Sequence, residues 1–402
     1  MMRNRWLMLG LGWFAQVGSC SFLYGMPSLI PALRSQEGLA LSGAGVVAAA
    51  PLAGLTIGLI PWGAVVDRFG ERYPLALGLG VSGLLVLYVA AAVHGLTALT
   101  VLLGVAGAAA ASVNAASGKL VLGWFAADER GRAMALRQTA QPVGAALASL
   151  GLPMLGAAWG FRLALVFPAL FSVLGAALVA VFARDPARPA GTRRVRRSRS
   201  PYRGSPVLAR LHAASTLLVV PQFAISAFAL EYLVRADGWA PQFAGVVVAG
   251  FQLAGAFGRI GAGWWSDRAG SRLRPMRLLA VASAGVLLLF ALGDAWTPWL
   301  AILALGLGAV LTVADNGLAF ASVAELAGPD WAGRALGTQN AAQNVSAALT
   351  PPLLGALIGA TGYGMAFVIA TAFPLLAIVV TPVSGERMTA DPEPVSGRSG
   401  TG

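Results

Sequence analysis

GAVVDRFGERYPL, residues 63–75, places five ionisable side chains between two long apolar runs. Only 11% of the 402 residues are charged, so this cluster stands apart from the sequence around it. A related stretch, GAGWWSDRAGSRLRP, occupies residues 261–275. Asp67 and Asp267 lie 200 residues apart, and each is followed by arginine, a variable residue and glycine. The recurrence indicates a chain built from two similar halves.

The composition predicts residence in a membrane. Hydrophobic residues make up 57% of the chain and the mean hydropathy is +0.74, whereas a soluble domain carries about 25% charged residues. About 20 consecutive apolar residues cross the bilayer core as a helix, and this chain has room for about twelve such segments. The 51 glycines suit helices that approach one another closely in lipid.

We therefore predict an all-α membrane protein with twelve transmembrane helices in two six-helix halves related by pseudo-twofold symmetry. The halves are residues 1–182 and 211–383, joined by a basic cytoplasmic linker at 183–210 and followed by a disordered cytoplasmic tail at 384–402. The predicted spans are 6–31, 43–66, 74–93, 97–124, 133–154, 162–182, 211–233, 242–264, 275–293, 298–322, 335–357 and 363–382.

The distribution of arginine predicts the orientation. Eight arginines fall within residues 184–203. Such a run can indicate a nucleic-acid-binding tail, but between two membrane halves a cytoplasmic loop agrees with the positive-inside rule. With the N-terminus inside, 22 of the 28 basic residues lie on the cytoplasmic side. We expect a multi-pass protein of the cytoplasmic (inner) membrane with both termini in the cytoplasm, and no nucleic-acid partner.

The sequence offers no pattern for a cofactor, a metal or enzymatic chemistry. Cys20 is the single cysteine, which excludes an intramolecular disulfide and a cysteine zinc site. There is no Walker loop, no metal-ligand spacing, and no nucleophile-and-base arrangement. The N-terminal residues imitate a signal peptide, but the apolar run continues beyond them, so a retained first span is expected.

The repeat extends well beyond the charged stretches. GRAMALRQTAQ at residues 131–141 aligns with GRALGTQNAAQ at 333–343, an offset of 202. With the same offset, Gly160 falls on Gly362 and Asn114 falls on Asn316. The two halves therefore have the same orientation, which relates them by an axis along the membrane normal.

These motifs resemble those of a known family. GAVVDRFGER and GWWSDRAGSR are similar to the hallmark loop of the major facilitator superfamily after spans 2 and 8, and WFAADERGRAMAL resembles its turn between spans 4 and 5. The likeness covers about residues 6–382. The segment GRIGAGWWSDRAG resembles the corresponding segment of the oxalate, formate and monocarboxylate carriers of this superfamily. The segment RQTAQPVGAAL resembles a span of the carriers grouped with cyanate and nitrite transporters. The resemblance implies the major facilitator fold and transport by alternating access.

The charged loops are expected to form a cytoplasmic gate. Gly63 and Gly70 permit close packing and a tight turn, and Asp67 can accept from backbone N–H groups at a helix start. Arg68 and Arg72 can pair with acids such as Glu129 or Glu325 across the seam between the halves. The resemblance implies that these contacts form in the outward-facing state and break as the halves rock; the alternative is a plain turn that also sets topology. The proposed gate residues are Gly63, Asp67, Arg68, Gly70, Arg72, Gly263, Asp267, Arg268, Gly270 and Arg272.

Asp315 lies well inside span 10, and a polar group within a span is a functional hypothesis by default. One interpretation is a proton-binding carboxylate that couples transport to protons. The other is a structural acid paired with an arginine or lysine, with Arg137 and Lys119 as the candidates.

Several polar residues within the spans are candidates for substrate binding. Arg137 and Gln141 share a helix face, and a guanidinium grips carboxylates bidentately, although Arg137 can also belong to the gate. The amides of span 11 can line a cavity or tie helices together. Arg259 is assigned to support of the gate, and Glu231 to the outer surface without burial. The candidates are Gln16, Tyr24, Asn114, Arg137, Gln141, Gln222, Asn340, Gln343 and Asn344.

These observations predict a secondary active transporter for a small organic or inorganic anion, coupled to protons. A proton-driven drug or metabolite exporter is the first alternative, although QPVGAA at residues 141–146 departs from the Gly-Pro-x-x-Gly-Gly signature of such exporters. A membrane sensor or scaffold without transport is the second. The expected partners are a small-molecule substrate and the lipid bilayer, and the chain is expected to act as a monomer.

Overall fold

The structure is a computed structural model that describes residues 2–93, 95–125, 133, 136–137, 139–185, 200–203, 205–328 and 331–385. Every regular element within these residues is a helix, as the all-α prediction requires. His94, Glu129, most of the predicted linker and nearly all of the predicted tail lie outside the described residues. The proposed boundaries of the linker and tail therefore stay predictions.

The described helices follow one another along the chain, with the longest intervals between Trp124 and Ala140 and between Phe182 and Val207. In chain order the α-helices are α1 Met2–Leu23, α2 Ile30–Gln36, α3 Leu41–Phe69, α4 Arg72–Ala92, α5 Leu96–Trp124, α6 Ala140–Trp159, α7 Phe161–Phe182, α8 Val207–Arg235, α9 Pro241–Ala269, α10 Leu273–Trp296, α11 Pro298–Ala327, α12 Ala332–Thr361, α13 Tyr363–Ala370 and α14 Ala372–Val380. A 3₁₀ turn at Met26–Leu29 connects α1 to α2.

The helices are long enough to cross a bilayer. Helices α3, α8 and α9 have 29 residues each, about 44 Å at 1.5 Å per residue, against a hydrocarbon core of about 30 Å. In the described part of the chain, eleven helical segments are long and apolar enough to span a membrane. Helix α12, with 30 residues, provides the twelfth crossing, and its amide side chains explain its lower hydropathy.

The packing repeats between the halves as the sequence repeat predicts. In the first half α3 packs against α5, α4 packs against α5 and α7, and α1 packs against α6. In the second half α9 packs against α11, α10 packs against α11 and α13, and α8 packs against α12. Each helix pair of the first half thus has a counterpart about 200 residues later.

Two pairs of long helices make the main contacts between the halves in the described part of the chain: α3 packs against α12, and α6 packs against α9. Helices α3 and α9 both end on the same side of the bundle, and we call that side the motif end. The other side is called the opposite end. At the opposite end the backbones come very close, because a Cβ on Gly45 would lie 2.6 Å from the Pro351 carbonyl oxygen. A Cβ on Gly245 would likewise overlap the Ser149 carbonyl oxygen. Glycine therefore allows the halves to meet there almost backbone to backbone.

Candidate functional site: a central cavity between the halves

A small cavity lies between the halves near the middle of α8 and α11. Its volume is about 40 Å³, which is enough for a few water molecules or one small ion because a water needs about 10–15 Å³ by this measure. Apolar residues such as Leu52, Phe223 and Val313 form part of its wall. The polar side chains that line it are Tyr24, Gln141, Gln222, Ser226, Gln252 and Arg259.

Arg259 is the cationic side chain of this cavity. Its Nη1 donates to Gln141 Oε1 at 3.4 Å, a bond that joins α9 to α6 across the two halves. Its Nε is buried without a hydrogen-bond partner, and among the described residues no carboxylate lies within ion-pair distance of it. Arg259, which the sequence assigns to support of the gate, thus lies on the wall of the central cavity, and its role at the gate stays a prediction.

Asp315 is buried beside this site on α11, with 3% of its surface exposed. Its Oδ2 has no hydrogen-bond partner within the described part of the chain. Arg259 is the basic residue that acts on Asp315 electrostatically, although no ion pair links the two. Arg137, one of the structural partners considered for Asp315, binds elsewhere, and the side chain of Lys119 lies outside the described residues.

Arg137 belongs to a buried network of the first half. Its Nε donates to Ser117 Oγ at 3.1 Å, and the Ser117 hydroxyl lies 3.1 Å from Gln16 Oε1. The network links α1, α5 and the segment before α6, and all three side chains are buried. Arg137 and Gln16 therefore lie together, apart from the residues that line the cavity.

The amides of α12 divide into two groups. Gln343 Nε2 donates to Ser215 Oγ at 2.7 Å and to Asn316 Oδ1 at 3.3 Å, and so connects α12 to α8 and α11. Asn344 Nδ2 donates to Asn340 Oδ1 at 3.2 Å within the same helix. Asn340 is exposed, and Asn114 on α5 is half-buried.

The first charged loop packs within its own half. Gly70 has φ 90° at the end of α3, where a Cβ would lie 2.6 Å from Asp185 Oδ2. Asp185 Oδ1 accepts from the backbone N–H groups of Glu71 and Arg72 at 2.9 and 2.7 Å. A carboxylate at a helix start satisfies free N–H groups, so Asp185 holds the start of α4.

The arginines of this loop also bind within the first half. The Arg72 guanidinium donates to the Ala180 carbonyl of α7, and Arg68 lies 5.3 Å above the Phe69 ring. The side chain of Asp67 lies outside the described residues. A Cβ on Gly63 would find no atom within 4 Å, so this glycine is not required for close packing in this conformation.

The second charged loop forms a tighter cluster. Arg272 binds Asp267 Oδ1 at 3.1 Å and Glu325 Oε1 at 2.9 Å. Glu325 therefore pairs within its own half in this conformation. Its expected pairing with Arg68 or Arg72 across the seam belongs to the outward-facing state and stays a prediction. Arg268 lies 3.4 Å above the Trp264 ring.

Two glycines complete the second loop. Gly270 ends α9 in the left-handed region with φ 58° and ψ 26°, where glycine avoids a steric penalty. A Cβ on Gly263 would find no atom within 4 Å.

At the opposite end an ion pair joins the halves. The Arg34 guanidinium of α2 donates to Glu231 Oε1 of α8, and the Glu231 side chain is 0% exposed. The expectation that Glu231 lies too near the outer surface to be buried is therefore wrong. Arg235 adds a weaker contact at 3.5 Å to the Pro31 carbonyl.

Comparison with known proteins agrees with this architecture. A family model described as Major Facilitator Superfamily matches residues 12–351 and 213–400. The chain belongs to the major facilitator superfamily. Two relatives are uncharacterized transporters of the major facilitator type from Mycobacterium tuberculosis: 42% identical in strain CDC 1551 / Oshkosh and 41% in strain ATCC 25618 / H37Rv. Each alignment covers 94% of this chain and 85% of the relative.

Solved structures share the fold at low identity. A bacterial homologue of the human lysosomal transporter Spinster, in an inward-facing and occupied conformation, has a TM-score of 0.82 at 14% identity and covers 97% of this chain and 98% of its own. A nucleoside transporter has a TM-score of 0.73 at 15% identity and covers 96% of this chain and 100% of its own. As a major facilitator protein, the chain is a secondary transporter of the membrane.

The structure brings together only some of the predicted site residues of this major facilitator protein. Tyr24, Gln141 and Gln222 line one cavity, whereas Gln16 and Arg137 form a separate network. Sequence reasoning missed the wall formed by α9. Gln252, Gly255, Ala256 and Arg259 have the i, i+3, i+4, i+7 spacing of one helix face, and that spacing could have identified it.

Proposed function

We propose that this protein is a proton-coupled carrier of a small anion, which it binds in the central cavity and moves across the membrane by alternating access. The observation that carries the proposal is Arg259, a guanidinium that faces a cavity of about 40 Å³ without a carboxylate partner among the described residues. An unpaired cation in a low-dielectric site is costly. A bound anion would remove that cost.

The other polar groups suit a small anion. Gln141 already holds the Arg259 guanidinium from the first half, so a ligand bound to Arg259 would contact both halves. Gln222 and Ser226 lie one helical turn apart on α8, on the same wall. Such donors, together with a planar guanidinium, form short charge-assisted hydrogen bonds to carboxylate or nitrite oxygens.

Asp315 is the group that we propose takes up the coupling proton. It is buried, its Oδ2 has no partner in the described structure, and Arg259 is the basic residue that acts on it. An anion on Arg259 would screen the charge that favours ionised Asp315, so anion binding would favour protonation. Binding of the anion and of the proton would then reinforce each other.

We propose that the motif end faces the cytoplasm, because the arginine-rich segments follow that end. With the halves in contact at the opposite end, this conformation would face inward. Each half supplies one wall of the cavity, so a single chain is the proposed transport unit. In this cycle the charged loops would come together when the opposite end opens.

Uptake into proteoliposomes under an imposed proton gradient tests the substrate class. Oxalate, formate and nitrite would serve as labelled probes, with bulky organic cations as the comparison. We expect uptake of at least one anion, and Arg259→Gln should weaken its binding about 10- to 100-fold because a hydrogen bond to a charged group contributes about 1.5–3 kcal/mol. Arg277→Gln, an exposed arginine of α10, is the matched control. Uptake of bulky cations with no anion uptake would instead indicate the exporter.

The coupling proposal has a separate test. Asp315→Asn should still exchange labelled anion for unlabelled anion, but it should no longer accumulate anion in response to the proton gradient. Ser322→Ala, which alters another buried polar side chain of α11, controls for the packing of that helix. Accumulation by Asp315→Asn equal to that of the unmodified protein would remove Asp315 as the proton site.

A further inference from the structure

A chain of hydrogen bonds crosses the second half and ends at the central cavity. We call it the amide chain. It begins at Tyr202, whose hydroxyl lies 3.0 Å from His212 Nε2, and His212 Nδ1 lies 2.6 Å from Gln339 Oε1. The remaining links are Gln339 Nε2 to Ser215 Oγ, Gln343 Nε2 to Ser215 Oγ and Asn316 Oδ1, and Asn316 Nδ2 to Gln222 Oε1 at 3.0 Å.

The direction of the amide chain follows from its chemistry. A carboxamide oxygen only accepts, so His212 Nδ1 must carry the proton that it donates to Gln339 Oε1. The Gln339 amide nitrogen then faces Ser215, and Ser215 accepts from both glutamines. The Gln343 nitrogen also donates to Asn316 Oδ1, which leaves the Asn316 nitrogen to donate onward. In this arrangement each amide of the chain makes its hydrogen bonds without placing two donors or two acceptors together.

The last link determines what Gln222 presents to the cavity. Its Oε1 is occupied by Asn316 Nδ2. Its Nε2 has no acceptor among the described residues, and Gln222 lines the cavity that Arg259 also lines. A polar nitrogen with two free protons and no protein acceptor is a donor available to a ligand.

We propose that Gln222 is a specificity-determining residue that donates its Nε2–H to an acceptor atom of the bound anion, and that Asn316 and Gln343 are positioning residues that hold it in this orientation. The proposal rests on the anion carrier proposed above and assigns a second donor to that site. With Arg259 on α9 and Gln222 on α8, the ligand would be held by donors from two helices. Acceptor atoms such as carboxylate oxygens would be selected over donor groups.

A purely structural amide chain would behave differently. If it only tied α8, α11 and α12 together, removal of any link would lower stability without changing the Michaelis constant. If it positions Gln222, removal of Asn316 or Gln343 should raise KM only while Gln222 is present. The two roles therefore differ in how the substitutions combine.

The experiment measures KM and kcat for oxalate, formate and nitrite uptake in Gln222→Leu, Asn316→Leu, Gln343→Leu and the Gln222→Leu/Asn316→Leu double variant. We expect Gln222→Leu to raise KM about tenfold, the value of one hydrogen bond to a charged group, with kcat little changed. Asn316→Leu and Gln343→Leu should raise KM by a smaller factor, and the double variant should match Gln222→Leu alone. Thr350→Val, which alters a buried α12 hydroxyl bonded only to its own helix, is the control and should leave KM unchanged.

Three results would overturn the proposal in distinguishable ways. If the unmodified protein transports a panel anion and Gln222→Leu leaves its KM unchanged, the role of Gln222 is wrong while the anion carrier stands. If Asn316→Leu raises KM equally with and without Gln222, the positioning role is wrong. If the unmodified protein transports none of the three anions, the proposed function is overturned and this inference with it.

Discussion

Arg272 and Glu325 pair at 2.9 Å within the second half, on the loop between α9 and α10 and the last turns of α11. Arg272 also binds Asp267 at 3.1 Å. The pair thus leaves Glu325 engaged at the motif end in a conformation whose halves meet at the opposite end. We propose that closure of the motif end exchanges this contact for one across the seam.

The Arg272–Glu325 pair should contribute little to stability. Both side chains are partly exposed, 29% and 58%, and exposed pairs contribute about 0–1 kcal/mol. In a double-mutant cycle of Arg272→Gln and Glu325→Gln, we expect a coupling of about 0.2–1 kcal/mol in thermal unfolding in detergent, decreasing with added salt. A coupling above about 2 kcal/mol would mean that the pair is a structural clamp and not an exchangeable contact.

Breaking the Arg34–Glu231 pair should open the opposite end more often. Glu231→Gln removes the buried negative charge of the pair. Loss of one partner of a fully buried pair lowers stability by about 3–5 kcal/mol. The loss should be smaller here because the Arg34 side chain is 30% exposed. The reporter is the thiol-labelling rate of Ser149→Cys, a buried residue close to Gly245, in a Cys20→Ser background. We expect labelling to accelerate about tenfold.

The control for this prediction is Glu37→Gln, which removes a pair with Arg162 at 3.4 Å within the first half. It should leave the labelling rate unchanged. The exchanged pair Arg34→Glu/Glu231→Arg should restore slow labelling. Equal rates for Glu231→Gln and Glu37→Gln would show that the pair does not hold the halves together.

Alanine at Gly70 should be far more damaging than alanine at Gly63. Gly70 has φ 90° and ψ −174°, and an added Cβ would meet the Asp185 carboxylate at 2.6 Å. Strained backbone of this kind costs about 1–3 kcal/mol. Gly63 is inside helix α3, where an added Cβ would find no atom within 4 Å outside the backbone of its own helix, so alanine there should stabilise by up to about 1 kcal/mol. The measurement is thermal unfolding of both variants in detergent. Equal melting temperatures for Gly70→Ala and Gly63→Ala would contradict the prediction.

Asp237, which lies at the opposite end, should make the free energy of unfolding depend on pH. Burial raises the pKa of its carboxyl above the ordinary value, and the charge of Asp294 raises it further. The folded state then binds the proton more tightly than the unfolded state, so the contribution of Asp237 to stability is full below its unfolded pKa and is lost as pH rises through its folded pKa. We expect Asp237→Asn to raise the melting temperature more at pH 8 than at pH 4. An equal effect at both pH values would refute this.

The general architecture could be predicted because its signals are local. Span lengths and the two charged loops depend on neighbouring residues, and the repeat is visible when the sequence is compared with itself. Gly70 and Gly270 have positive φ at the helix ends where the motif places them. The hydropathy signal fails only for α12, because Gln339, Gln343 and their neighbours serve hydrogen bonds inside the bundle. Its place in the repeat still identified it as a span.

The composition of the site could be predicted only in part. Tyr24, Gln141 and Gln222 could be proposed because polar residues within spans are few. Arg259 precedes Gly263 by one turn, which favours a place near the gate. It shares a helix face with Gln252, Gly255 and Ala256, however, and that face lines the cavity. The sequence predicts Glu231 at the outer surface without burial, because its partner Arg34 is 197 residues away and their contact depends on how α2 packs against α8.

The pair of Arg34 and Glu231 also affects the electrical behaviour of the transporter. A single elementary charge moved across 100 mV changes the free energy by about 2.3 kcal/mol. Arg34 and Glu231 carry opposite charges at the same depth in the membrane. When the pair separates, the two charge movements therefore cancel, and the pair itself moves almost no net charge. Separation of this pair should therefore add little voltage dependence to the opening of that end.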